Sequence, residues 1–209
     1  MNIDRQFLWG PSLLISPVLD EGMTEVEAYI PNARWYSYYD GKEIPFEKRG
    51  ETTTLEADLS TINLHVRGGY VLPFQEPANN TFYSRRKPMG LIIALDDYLK
   101  ASGNLFWDDG ESRDSISGEK FILTEFGVST DNGVGTLKIE NKLNKYADPD
   151  SLKFETIQIM GLTTVPSQAK SNGQAVSTGN FKYDPSTKVL TLTGLDLSIS
   201  ETHTVVWEP

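Results

Sequence analysis

Three carboxylates stand beside aromatic residues in the segment Phe106-Trp107-Asp108-Asp109-Gly110-Glu111-Ser112. Two carboxyl groups about 5–5.5 Å apart can cleave a glycosidic bond with retention, one as nucleophile and one as acid/base. The spacing here argues against that use. Adjacent residues on a strand point to opposite faces, and in a turn such carboxylates cap backbone N–H groups while a glycine supplies the turn geometry. Asp108, Asp109 and Glu111 are therefore read as turn residues. A calcium loop fares no better, because the alternating oxygen ligands, central glycine and terminal glutamate of an EF-hand are not met.

Other residue types with chemical potential resolve in the same way. His65 and His203 are the only histidines, and both sit in apolar alternating strands without the strand-turn-helix elbow of a nucleophilic serine. They read as structural. Arg67-Gly68-Gly69-Tyr70 lacks the phosphate-loop pattern and a following helix, so its glycines read as a bulge or a close backbone approach. The run Trp35-Tyr36-Ser37-Tyr38-Tyr39 offers flat rings on which a hexose could stack. Alternation puts Trp35 and Tyr39 on one face and Tyr36 and Tyr38 on the other, so one set must pack a core. Trp35, Tyr38 and Trp107 are the carbohydrate-stacking candidates. Asn79-Asn80-Thr81 is an N-x-T glycan acceptor, with Asn79 the attachment residue, in a polar stretch after Pro77. No catalytic residue, metal ligand set or cofactor motif is assigned.

The elements that must hold these residues are strands. Eleven short runs rich in Val, Ile, Thr, Tyr and Phe, from Leu13–Leu19 to His203–Trp207, alternate with Gly, Pro, Asn and Asp punctuation. Asp40-Gly41, Asp131-Asn132-Gly133 and Ser171-Asn172-Gly173 carry hairpin chemistry, with Asp40-Gly41 suited to a type I′ turn. Helical periodicity is weak, confined to a last turn in Asp4 to Trp9 that Gly10-Pro11 would stop. The expected fold is all-β, with two consecutive antiparallel β-sandwiches. Residues 1–12 lead in, residues 13–94 form the first sandwich and residues 95–209 the second, split at the polar stretch Asp96–Gly103.

Composition narrows the function. A formal charge of −10 with no basic cluster larger than Arg85-Arg86-Lys87 excludes a nucleic-acid partner and suits a neutral ligand such as a sugar. The absence of cysteine removes disulfides, thiolate metal sites and thiol nucleophiles. No stretch approaches the ~20 apolar residues of a membrane span, and Met1–Gln6 has no signal-peptide character.

Several long motifs occur in an order that resembles one family. Gln6-Phe7-Leu8-Trp9-Gly10 with Leu13-Leu14-Ile15-Ser16-Pro17-Val18-Leu19 is similar to the segment leaving the catalytic barrel of family 31 α-glucosidases. Arg34-Trp35-Tyr36, Ile62 to Pro73, Ser84-Arg85 and Leu105 to Ser112 follow in that family's order. The likeness is greatest to the branch of sucrase-isomaltase, maltase-glucoamylase and lysosomal α-glucosidase, and weakens after about Asn141. It implies a proximal and a distal β-sandwich following a barrel that carries both catalytic aspartates.

No residue here matches those aspartates, and the resemblance places Asp108 and Asp109 away from the glycosidic bond. What it implies is a non-catalytic C-terminal portion of an enzyme that releases terminal α-linked glucose with retention. Phe7 to Val18 would then face the barrel or another protein, in a secreted, membrane-anchored or lysosomal setting. Two other readings stand beside it: a free-standing carbohydrate-binding module using Trp35, Tyr38 or Trp107, and a structural or protein-interaction module.

Overall fold

The computed structural model describes residues 4–209. In chain order its strands are β1 (Phe7–Trp9), β2 (Leu13–Ser16), β3 (Glu25–Tyr29), β4 (Trp35–Ser37), β5 (Thr52–Glu56), β6 (Asn63–Arg67), β7 (Tyr70–Gln75), β8 (Met89–Ala94) and β9 (Ala101–Trp107). They continue as β10 (Ile122–Asp131), β11 (Val134–Asn144), β12 (Lys153–Met160), β13 (Gln168–Ser171), β14 (Gln174–Ala175), β15 (Phe181–Asp184), β16 (Val189–Leu192), β17 (Leu197–Ser198) and β18 (His203–Glu208). One short helix, α1 (Thr81–Ser84), lies between β7 and β8. The fold is all-β, as expected, and each of the apolar runs read from the sequence overlaps a strand.

The strands build stacked layers. A ribbon of β3 and β5 covers a four-stranded sheet ordered β1-β2-β6-β4, and between them lie Leu14, Ala28, Ile30 and Trp35. The opposite face of that sheet presents Tyr36 and Val66 to Ile92, Ala94, Met160 and Val189. These last residues belong to a twelve-stranded sheet ordered β14-β13-β18-β11-β10-β9-β7-β8-β12-β16-β15, with β17 beside β12. Both halves of the large sheet contribute to one apolar cluster that includes Leu91, Phe126, Leu137, Phe154, Leu190 and Trp207. Such a shared core requires the sheet to curl over on itself into a sandwich. The rings of Phe126 and Phe154 meet edge to face across that core, 5.6 Å apart.

Alternation explains the layering. In β4, Trp35 enters the core under the ribbon and Tyr36 enters the opposite one. All of β8 is buried: Met89, Leu91 and Ile93 face the curled sheet's interior, while Ile92 and Ala94 face the four-stranded sheet. A strand wanted on both faces reads as a continuous apolar run, which is what Met-Gly-Leu-Ile-Ile-Ala supplies.

Three expectations need correction. Strand pairing does not break at Leu95: β7 and β8, expected in the first sandwich, sit in the middle of the large sheet, where β8 runs parallel to β12. The last helical turn expected over Asp4 to Trp9 is instead strand β1, which pairs with β2 across Gly10 at φ +63°. A single helical turn carries the full cost of nucleation, whereas a hairpin partner satisfies the same backbone groups at once. The Asp40-Gly41 hairpin is not type I′, because only Gly41 has positive φ and its N–H donates to the Ser37 carbonyl four residues back. By contrast Asn132-Gly133 and Asn172-Gly173 both have positive φ throughout and join β10–β11 and β13–β14 as type I′ turns.

A polar joint fixes the four-stranded sheet to the large one. The Arg34 guanidinium donates Nε and Nη2 to the two oxygens of Glu43, at 3.0 and 2.6 Å. It also reaches the Asp96 carbonyl at 3.0 Å and the Gly161 carbonyl at 3.4 Å. Arg49 donates to Glu43 at 2.9 Å and to Asp97 at 2.9 Å. Burial pushes the Glu43 carboxyl up, but the hydrogen bonds from Arg34 and Arg49 outweigh it and hold the group below the usual carboxylate range. The Tyr36 hydroxyl donates to the Leu95 carbonyl at 2.6 Å, and burial raises its pKa so that it stays protonated. Gly161 is required here: a Cβ would lie 2.1 Å from that hydroxyl.

Arg34→Ala removes the guanidinium's hydrogen bonds to two carbonyls and leaves the half-buried Glu43 carboxylate with Arg49 as its remaining partner. Equilibrium urea unfolding should show a loss of about 2–4 kcal/mol. A loss under about 1 kcal/mol, the scale of an ordinary surface change, would mean that apolar packing alone holds the joint.

Candidate functional site

The sequence-derived candidates end up in different places. Trp35 is 1% exposed, and its Nε1 donates to the Pro31 carbonyl at 3.0 Å. It has no face to offer a ligand, so the stacking role expected of it is withdrawn: the ring is a core residue of the ribbon-covered layer. Tyr38 is partly buried against the second core and packs edge to face with Tyr39 at 5.6 Å. Trp107 belongs to neither neighbourhood; it ends β9 in the large sheet. His65 and His203 are buried, as structural residues would be, and burial pushes His65 down to about 4. His203 is held through Asn172 Nδ2 at 3.0 Å and the Ser198 carbonyl at 2.9 Å.

The Asp108–Ser112 segment forms the turn that its composition predicts. Gly110 N–H donates to Asp108 Oδ1 at 2.9 Å, and the N–H groups of Glu111 and Ser112 donate to Asp109 Oδ1 at 3.0 and 2.9 Å. The Ser112 hydroxyl donates to the other Asp109 oxygen. That hydroxyl first, then the two backbone donors, hold Asp109 down to about 2. An exposed carboxylate so fixed is ionised throughout the ordinary pH range and has no proton to deliver as an acid.

Around this turn lies a cleft of about 510 Å³. Its walls are Phe82, Arg85 and Arg86 from the α1 segment, Trp107 with Asp109 to Glu111, and Tyr146 with Asp148 to Asp150. The Arg85 guanidinium carbon lies over Trp107, 4.0 Å from the ring centroid, and Nη2 donates to the Asp108 carbonyl. Gln75 anchors the end of α1 by donating to the Arg85 carbonyl at 3.2 Å and the Lys87 carbonyl at 3.0 Å. Arg86 lies 3.8 Å over Phe82 and pairs with Asp150 at 3.4 Å. Asp148 caps its own turn by accepting from Leu152 N–H at 2.7 Å. Trp107 is thus 9% exposed, with one face occupied by Arg85. The sequence reading found Trp107 but missed its partners, whose only signal was the short Ser84-Arg85 motif.

Two further predicted features are exposed. Asn79 is exposed in the bend before α1, and Asn80 accepts from Tyr83 N–H at 3.1 Å as the helix cap. In β1, Phe7, Leu8 and Trp9 are 56%, 46% and 74% exposed. Among the described residues no cluster of ligating side chains suits a metal, and no helix is long and apolar enough to cross a membrane.

Comparison with known proteins gives a consistent result. Residues 1–72 match the family model described as the glycosyl hydrolase family 31 C-terminal domain. Intestinal sucrase-isomaltase of Oryctolagus cuniculus is 44% identical over 208 residues, which cover 98% of this chain and 11% of that protein. Lysosomal alpha-glucosidase of Rattus norvegicus is 37% identical over 225 residues, 99% of this chain and 22% of that protein. Among solved structures, the family 31 dextranase of Flavobacterium johnsoniae superposes with a TM-score of 0.81 at 19% identity, over 98% of this chain and 27% of its own. The ER glucosidase II heterodimeric complex gives 0.79 at 25% identity, over 98% and 23%. The chain therefore spans roughly a tenth to a quarter of the length of these relatives.

The turn at Asp109 is open to direct test. Carboxyl carbon NMR should show Asp109 titrating near 2, and Ser112→Ala should raise that value by removing the first of its donors. A midpoint near the ordinary 3.9 in the unmodified chain would mean that the turn is not closed as described.

Proposed function

Because the chain belongs to glycosyl hydrolase family 31, through the C-terminal domain of that family, we propose that it is the non-catalytic β-sandwich portion of an α-glucosidase. In this reading the remaining portion of the enzyme hydrolyses terminal α-linked glucose from oligosaccharides with retention. This chain supports and partly covers the catalytic region.

One observation carries the reading: strand β1 is apolar and uncovered. Phe7 and Trp9 point to one side and Leu8 to the other, and all three are more than two-fifths exposed. After β2, Leu19 and Met23 are also exposed, at 57% and 54%. Contiguous exposed apolar side chains of this size mark a surface that meets another protein surface. The occupant is the catalytic region of the same enzyme, since the relatives extend far beyond the matched segment and the resemblance puts β1 where the chain leaves the barrel. Aromatic anchors such as Trp9 are the residue types that dominate such contacts.

Asn79 supports a secretory route. Its amide is exposed, Thr81 provides the acceptor hydroxyl, and the helix cap is made by Asn80 rather than Asn79. A glycan at Asn79 therefore disturbs no hydrogen bond of the fold, and it fits relatives named intestinal and lysosomal.

Two measurements test the proposal. Native material carrying this sequence should hydrolyse 4-nitrophenyl α-D-glucopyranoside and contain, after denaturation, a chain or co-purifying fragment much larger than 23.3 kDa. Hydrolysis by the pure 209-residue chain would overturn the non-catalytic reading, and native material with neither activity nor a larger component would overturn the parent. Treatment of the native protein with peptide N-glycosidase should lower its mass and convert Asn79 to Asp in the peptide map. An unmodified Asn79 peptide in untreated material would remove the glycan.

A further inference from the structure

The cleft beside Trp107 has a use that neither support of a catalytic region nor the turn chemistry requires. Its polar groups are preset. Arg85 is pinned by its stack on Trp107 and by the Asp108 carbonyl, so its guanidinium plane is fixed without a bound molecule. Among the described residues its Nε and Nη1 make no hydrogen bond. Gly110 allows this arrangement, because its Cα lies so close that a Cβ would stand 3.1 Å from the guanidinium carbon. Phe82, which also lines the cleft, is 57% exposed with Arg86 over its ring, and Tyr146 is half-buried with its hydroxyl pKa raised by burial and the nearby Asp148 and Asp109.

The combination selects a ligand class. Apolar ring surface next to fixed planar donors and acceptors is what a pyranose needs, since its C–H face meets a ring while adjacent hydroxyls bridge a guanidinium and a carboxylate. The walls carry Arg85 and Arg86 against Asp109, Glu111, Asp148 and Asp150, two positive against four negative charges. That balance of −2 disfavours phosphate, sulfate and acidic sugars. Glu111 is the one of these carboxylates that neither caps a turn nor pairs with an arginine among the described residues. We propose that this cleft is an auxiliary binding site for a neutral hexose oligosaccharide, held between Phe82 and the fixed Arg85 with Glu111 as acceptor. The proposal rests on the carbohydrate reading of the chain but not on its attachment to a catalytic region. Two sources share this chemistry: a free α-glucan, or the chain's own glycan at Asn79, two residues from the Thr81 that lines the rim.

The test uses the unglycosylated 209-residue chain and two-dimensional amide NMR, titrated separately with maltopentaose and with a free high-mannose oligosaccharide. The expected result is millimolar binding, with shifts confined to the amides of Phe82, Arg85, Gly110, Glu111 and Tyr146. Phe82→Ala and Glu111→Gln, both on exposed side chains, should each weaken binding by roughly fivefold or more without changing the melting temperature. Preference for maltopentaose assigns the site to free glucan, and preference for the high-mannose sugar assigns it to the Asn79 glycan. No shifts at tens of millimolar of either sugar, or shifts centred elsewhere, overturn the proposal. Because no hydrolysis is measured, this result is independent of whether the native enzyme is an α-glucosidase.

Discussion

The double burial of β8 is the constraint on which the other layers depend. A strand whose successive residues are wanted by two different cores can neither slip in register nor sit at an edge, because a one-residue shift exchanges the two sets of side chains. Leu91 and Ile93 would leave the curled sheet and Ile92 would enter it. The parallel neighbour β12 is bound by the same rule: Ile157 and Ile159 face one core and Met160 the other. Since β7 precedes β8 across only the α1 segment, the position of the cleft is fixed by the same strand. The four-stranded sheet then has one place to dock, the outer face of β8, β12 and β16.

Apolar contact alone leaves that docking free to slide, and the polar joint removes the freedom. Tyr36 and Arg34 reach past the apolar layer to backbone carbonyls of Leu95, Asp96 and Gly161. Each acceptor is a main-chain atom in the loop leaving β8 or β12, so the joint reads the position of the large sheet's backbone rather than of its side chains. Buried charge is weak evidence for stability in general, because desolvation opposes the attraction. Here the bidentate Glu43 contact and two further acceptors leave Arg34 well satisfied, and the network's value lies in geometry as much as in energy. Gly41 and Gly161 belong to the same device: a Cβ on either would meet Val189 at 2.6 Å or the Tyr36 hydroxyl at 2.1 Å.

Much of this was legible in the residues, and the misses have physical causes. Strand positions followed from local alternation, and Asn-Gly turns from the positive φ that both residues tolerate. Alternation also separated Trp35 from Tyr36, though it could not say that both sides of that strand would be cores. Strand pairing carries past Leu95 because Asp96–Lys100 is a loop between β8 and β9 of one sheet, and such a polar loop looks the same as a linker between two sheets. Strand β1 was hidden by its brevity, since three residues carry no periodicity. The joint and the cleft were out of reach for a common reason. Arg34 and Gly161 lie 127 residues apart, and Arg85 and Asp108 23 apart, and nothing local marks a guanidinium as destined for a distant carbonyl or ring.

Protonation bears on the chemistry open to Asp109 and to the other carboxyls held by donors. A retaining glycosidase needs one carboxyl kept protonated near neutrality, which takes burial in an apolar pocket or a like-charged neighbour. In this chain the carboxyls displaced from their ordinary range, Glu43, Asp109, Asp114, Glu140 and Asp184, all move down. Each does so because a serine, lysine or arginine donates to it. Donors that lower a carboxyl's pKa stabilise a turn or a joint, and the same bonds deprive the group of the proton that acid catalysis requires. Acceptors fixed in this way can still accept hydrogen bonds from hydroxyls.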